Sequence, residues 1–201
     1  MQRDIAMTAA NRFFSYLLES QKAVSSLSDQ NLQEEYEKAV ISCVSALTNG
    51  RRIFTAGNGG SFADALHIAG ELVNYFTIPH QALPVIALGA NGSILTSWSN
   101  DHNFEEQLAR EFSAFGSKGD VLIAISTSGK SRNIHHLITK ASEYETTVIA
   151  LTSNEGKKHL PKCDIYLAVD SDSTPNIQEG HIVIYHALCK EIEFQISKNA
   201  I

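Results

Sequence analysis

The chain has 201 residues, 43% of them apolar and 19% charged, with a formal net charge of −6. That length supports one sizeable core and leaves a second full domain cramped. The acidic balance, with basic residues clustered no further than pairs (Arg51-Arg52, Lys157-Lys158), argues against nucleic acid as a partner.

No apolar run approaches the roughly 20 residues of a membrane-spanning helix, so no membrane partner is expected. Met1–Ile5 lacks the apolar core and small-residue cleavage pattern of a secretory signal. Cys43, Cys163 and Cys189 are far apart and form no CxxC pair. They read as reduced thiols packed as small apolar groups, which points to the cytoplasm.

Residues from about 3 to 49 carry helical apolar spacing, broken near Ser25–Asp29. Leu32, Tyr36, Ala39, Val40, Cys43, Val44 and Leu47 recur every three or four positions, and Asn49-Gly50 supplies a helix stop. Two opening helices follow. The first carries Phe13, Phe14 and Tyr16, which need a surface to bury against; in a domain this small it could belong to another subunit.

From residue 52 the pattern alternates. Runs rich in Val and Ile at 52–56, Pro84–Leu88, Val121–Ile125, Thr147–Leu151 and Asp164–Val169 are separated by helical segments or turn signals. The alternation predicts βαβ units and a five-stranded, doubly wound parallel sheet covered on both faces. A long amphipathic helix is predicted from about Gln178 to Ser197. The expected organisation is a helical extension over 1–50 and one α/β unit over 51–201.

In such sheets ligands bind beyond the C-terminal ends of the strands, where strand order reverses. Two glycine-bearing polar turns follow strand ends: Gly57-Asn58-Gly59-Gly60-Ser61 and Ser126-Thr127-Ser128-Gly129-Lys130-Ser131. A glycine-rich turn from strand to helix presents backbone N–H groups to an anion at the positive helix end. The hydroxyls of the second turn could simply cap a helix beginning near Asn133. Four of them exceed what one cap uses, and they suit a phosphate. Neither turn fits G-x-x-x-x-G-K-[ST] or G-x-G-x-x-G, so the expected phosphate belongs to a small metabolite.

His67 and Glu71 stand one helical turn apart and can present two ligands to one cation. Gln178, Ile182 and His186 fall near one stripe of the last helix. A straight helix separates Gln178 from His186 by about 12 Å along its axis. Two arrangements stay open: Gln178 at or before the helix start, or half-sites facing each other across a subunit boundary. His181 reads as a structural helix histidine, His135 and His136 as surface residues, and Trp98 as core or interface packing; His80, His102 and His159 have no informative partner spacing.

Gly57–Ser61, Ser126–Ser131 and Ile177–His186 together resemble the sugar isomerase (SIS) domain, and more narrowly the phosphoheptose isomerase family. The resemblance spans nearly the whole chain. It implies a zinc-dependent conversion of sedoheptulose 7-phosphate to D-glycero-D-manno-heptose 7-phosphate, for lipopolysaccharide or capsule heptose. It further implies a homotetramer with sites at subunit interfaces. Carried over by position, Ser126, Thr127, Ser128 and Ser131 hold the phosphate. Asn58, Gly59 and Gly60 supply the first turn, and Asn100-Asp101 line the sugar, although Asp101 could instead cap a helix near Phe104. Zinc is held by His67, Glu71, Gln178 and His186. Glu71 and His186 are the acid–base pair, and which of them removes the carbon-bound proton is open.

Phe62, Tyr75 and Pro175-Asn176 depart from the family pattern at positions that could touch substrate. Two alternatives therefore stand beside the isomerase reading. One is an isomerase of another phosphosugar. The other is a non-catalytic regulator that binds a sugar phosphate or a replication initiator protein.

Overall fold

The structure is a computed structural model that describes residues 8–199. The expected helical residues 3–7 and the Met1–Ile5 reading lie outside them. The elements are α1 (Ala9–Ser25), α2 (Gln30–Thr48), β1 (Ile53–Ala56), α3 (Gly60–Val73), β2 (Val85–Ala87), α4 (Gly92–Asp101), α5 (Gln107–Phe115), β3 (Val121–Ile125), α6 (Arg132–Glu143), β4 (Thr147–Ser153), β5 (Ile165–Val169) and α7 (Thr174–Asn199). All five strands are parallel, in the order β2-β1-β3-β4-β5. Every strand stands within two residues of where its apolar run predicts it.

Alternation along the strands builds two cores. Ile53, Val121, Ile123, Ile149 and Leu151 face α2, α3 and α7; Phe54, Ala56, Leu122, Ala124 and Val148 face α5 and α6. Each buried aliphatic or Phe side chain adds about 1.5–3 kcal/mol of hydrophobic stabilisation before entropy is counted. No helix among the described residues is long and apolar enough to cross a membrane.

The long helix α7 begins at Thr174, four residues before its expected start. Pro175 is the reason: its ring presets the φ of a first turn where an N–H would be unpaired anyway. Ile177 donates its amide to the Ser173 carbonyl at 2.9 Å, closing that turn. Gln178 therefore sits inside the helix, and the arrangement with Gln178 at or before the start does not hold.

The chain leaves β1 to form β2 on one side and returns to form β3 on the other. The β1 and β3 ends are thus the switch point of the sheet, the place where open α/β sheets bind ligands.

Candidate active site

The β1–α3 and β3–α6 turns meet at that switch point. Asn58 and Asn133 exchange two side-chain amide hydrogen bonds, each 2.8 Å, and Asn133 is buried. The amide of Asn58, expected against substrate, is thus engaged in tying the two turns together.

The serine-rich turn is anchored from beneath. Thr152 Oγ1 donates to the Ser126 carbonyl at 2.7 Å, and Ser153 Oγ donates to the Thr127 carbonyl at 2.9 Å. Gly129 has a φ of +65°, and a Cβ there would fall 2.0 Å from the Gly156 carbonyl oxygen. Only glycine permits this left-handed, close-packed backbone. His135 Nε2 donates to the Gly129 carbonyl, so His135 braces the turn and is not simply a surface residue.

Ser131 is the N-cap of α6 yet makes no side-chain cap bond. Its hydroxyl is therefore not spent on capping, which favours the anion-binding reading of the turn over the capping one. Ser126 is buried, Thr127 is half-buried and Ser128 is exposed.

Helices α3 and α7 lie side by side and run in the same direction. A Cβ on Gly60, at the start of α3, would fall 2.3 Å from Gln178 Nε2. Glycine at that position is what lets the Gln178 amide reach the phosphate-side turn. Two helical turns further on, the rings of His67 and His186 stand 5.1 Å apart. His67 Nε2 lies 2.8 Å from Glu71 Oε1. His67, Glu71 and His186 therefore converge, while Gln178 sits against Gly60, about 12 Å along α7 from His186 at 1.5 Å per residue.

Both ring nitrogens of His67 have partners. Tyr185 OH donates to Asp64 Oδ1 at 3.4 Å and accepts from His67 Nδ1 at 2.9 Å. With Nδ1 protonated, Nε2 and the Glu71 carboxylate oxygen are two acceptors that face each other. In that tautomer the position between them would suit a cation; in the other, Nε2 donates to Glu71 directly. Burial raises the Asp64 carboxyl above its usual range, against the opposing pull of Tyr185 and His67. Burial and then the neighbouring His67 lower the basicity of His186, with Glu71 opposing.

Among the described residues, no group of three or more His, Cys, Asp or Glu side chains is placed so that it could hold a metal ion as the side chains stand. The chemistry of the donors nevertheless fits zinc. His186 Nε2 is buried with no hydrogen-bond partner. His67 is held from Nδ1 by a tyrosine backed by a carboxylate, the kind of outer contact that orients metal-binding imidazoles.

Asn100 and Asp101 end α4, exposed and hydrogen-bonded to each other at 2.9 Å. Helix α5 starts at Gln107, and Asn103 Oδ1 accepts the Glu106 amide, so Asp101 is no N-cap. The segment returns to the rim through a 3.1 Å ion pair between Glu105 and Arg132, the residue after Ser131. Trp98 is not in the core: it is half-buried, stacked on His102 with centroids 3.9 Å apart, beneath the Arg110 guanidinium.

Sequence reasoning missed Asn133, His135 and Glu193. Glu193 is fully buried and accepts from Thr77 N at 2.8 Å, Thr77 Oγ1 at 2.9 Å and His80 Nε2 at 3.2 Å. His80 therefore has a partner, 113 residues away along the chain.

Residues 15–153 match the family model described as the SIS domain. The phosphoheptose isomerase of Burkholderia pseudomallei (strain 1710b) is 40% identical over 191 residues, covering 92% of this chain and 97% of that protein. The chain belongs to the phosphoheptose isomerase family of SIS-domain enzymes. Among solved structures, the phosphoheptose isomerase of Francisella tularensis superposes on this family member with a TM-score of 0.87 at 35% identity, covering 93% of this chain and 99% of that one. The enzyme from Neisseria gonorrhoeae gives 0.83 at 36% identity, covering 92% and 99%.

Proposed function

We propose that this isomerase interconverts sedoheptulose 7-phosphate and D-glycero-D-manno-heptose 7-phosphate, for heptose destined for lipopolysaccharide or capsule. The observation that carries the reading is the convergence of His67, Glu71 and His186 two turns along the helix that begins at the glycine-rich turn, which Asn58 ties to the hydroxyl-rich one. One end of that arrangement suits a phosphate and the other suits proton transfer.

Moving a carbonyl from C2 to C1 requires a proton to leave one carbon and return to its neighbour through an enediol. A positioned base and acid contribute about 10²- to 10⁴-fold each to such a step. The 2.8 Å approach of His67 Nε2 to Glu71 Oε1 puts an imidazole and a carboxylate where a proton could pass between them. His186, its basicity lowered by burial and by His67, has its ring 5.1 Å from that of His67. Glu71 and His186 are thus the acid–base pair.

Zinc would be held by His67, Glu71 and His186, with Gln178 contributing from the adjoining turn. Bound there, it would supply Lewis-acid polarisation of the substrate's carbonyl and hydroxyl oxygens. The Ser126, Thr127, Ser128 and Ser131 hydroxyls, with the backbone of Asn58, Gly59 and Gly60, fix the phosphate, the Asn58 side chain being engaged by Asn133. Asn100 and Asp101 meet sugar hydroxyls.

The active protein is proposed to be a cytoplasmic homotetramer. In support, Phe13 and Phe14 are 62% and 61% exposed on α1, and Ile182 and Val183 are exposed on α7. The three cysteines are free and buried.

The test incubates purified protein with sedoheptulose 7-phosphate and, separately, other ketose phosphates, following products by NMR. Aldose formation from the heptulose is expected. Turnover of another ketose phosphate alone reassigns the substrate, and turnover of none makes the chain a sugar-phosphate-binding regulator.

A further inference from the structure

Glu193 lies seven residues beyond His186 on α7, so it shares that face of the helix one further pair of turns along. Its carboxylate is completely buried, which is costly for a charge unless donors surround it. They do. The amides of Phe76, Thr77 at 2.8 Å and Ile78 at 3.2 Å all donate to it, as do Thr77 Oγ1 at 2.9 Å and His80 Nε2 at 3.2 Å.

All of these donors belong to the connection between α3 and β2. That segment has no helix or strand of its own, so its amides depend on this carboxylate for partners. The first residue so fixed is Phe76. Its ring lies against the His186 imidazole, with centroids 5.3 Å apart and planes 26° from parallel. Tyr185 and His67 meet the same imidazole edge-on, both at 83°. His186 Nε2 makes no hydrogen bond, so these rings are what orient it.

We propose that Glu193 is a positioning residue: by gathering the amides of residues 76–78, it holds the Phe76 ring against His186 and so aims that imidazole. The inference rests on the reading of His186 as part of the acid–base pair, but its structural half is independent of activity. Isomerases need such aiming because a misplaced acid–base group loses rate while substrate is still bound through its phosphate.

The experiment uses the full chain and reads two quantities. In Glu193→Gln, an amide replaces one accepting oxygen and opposes the donating N–H groups. Its kcat is expected to fall about 10- to 100-fold with KM changed less than about twofold. Phe76→Leu reproduces the fall, Phe76→Tyr restores it, and the Glu193→Gln/Phe76→Leu double variant is no slower than the slower single one.

The second quantity is the His186 side-chain NMR resonance of the metal-free protein. It shifts in Glu193→Gln, which releases the stacked Phe76 ring, and in Phe76→Leu, which removes it. Thr77→Val, which deletes one of the five donors and keeps the backbone amides, shifts it less and in the same direction. An unmoved resonance in Thr77→Val and Phe76→Leu overturns the proposal, as does wild-type kcat in Glu193→Gln or additive losses in the double variant. If the wild type itself turns over no ketose phosphate, the isomerase reading fails, and the resonance shifts alone decide the positioning role.

Discussion

Asn58 and Asn133 join the two turns at the switch point through a reciprocal pair of amide hydrogen bonds, each 2.8 Å. Under the proposed function the pair matters because both turns are needed to surround the substrate's phosphate. One turn brings backbone N–H groups at the start of α3, and the other brings hydroxyls at the start of α6. The amide pair sets the distance between them.

Truncating either asparagine leaves its partner without its bonds. Asn133→Ala and Asn58→Ala should each lower stability by about 1–3 kcal/mol, the cost of an unsatisfied buried amide. Both should raise KM for a phosphorylated substrate by similar factors, and the double variant should be no worse than either. Urea unfolding and steady-state kinetics on the three variants check this. Additive losses would mean that Asn58 contacts substrate independently of Asn133.

Gly60→Ala separates function from stability. The new Cβ would fall 2.3 Å from Gln178 Nε2, the mobile end of a side chain, so the fold can yield while Gln178 is displaced. Alanine also favours a helix over glycine by up to about 1 kcal/mol. The variant should unfold at the same or higher urea concentration and lose most of its kcat/KM. Full activity would remove Gln178 from the site.

Much of this arrangement is legible in the residues. The strands are continuous Val/Ile runs because a parallel sheet is buried on both faces, and the two turns stand out because glycine and hydroxyl clusters follow strand ends. His67 and Glu71 are visible as a one-turn pair on α3. What is hidden depends on partners distant in the chain. Nothing near His80 announces Glu193, and nothing near Asn58 announces Asn133. His135 looks like a surface histidine because its partner is a backbone carbonyl, which no side-chain pattern records. The early start of α7 comes from Pro175, whose compatibility with a first helical turn outweighs the polar look of the segment.

His181 gives the protein an acid-side weakness. It is fully buried, donates from Nε2 to the Thr152 carbonyl at 3.0 Å, and burial lowers its pKa from 6.5 to about 4. The unfolded chain thus takes up a proton below about pH 6.5 that the folded chain refuses until about pH 4. Stability from this group is complete above pH 6.5 and is lost as pH falls, by about 3 kcal/mol once pH 4 is reached. His181→Gln should flatten the decline of the urea midpoint between pH 7 and 4.5. An unchanged slope would show that other groups govern acid unfolding.

Glu71→Gln keeps the shape of the site and removes the charge that faces His67 Nε2. Its kcat should drop by about 10²- to 10⁴-fold, with the unfolding midpoint close to wild type. Circular dichroism melts and the NMR turnover assay give both values. Near-normal isomerisation would take Glu71 out of the acid–base pair.

We propose that His67, Glu71 and His186 serve one zinc ion that acts on a bound sugar phosphate. The most direct test is turnover of sedoheptulose 7-phosphate before and after chelation, followed by stepwise return of zinc. Activity should vanish on chelation and recover at about one zinc per subunit, the stoichiometry of a single catalytic site. Undiminished turnover by protein that mass spectrometry shows to be metal-free would contradict the claim.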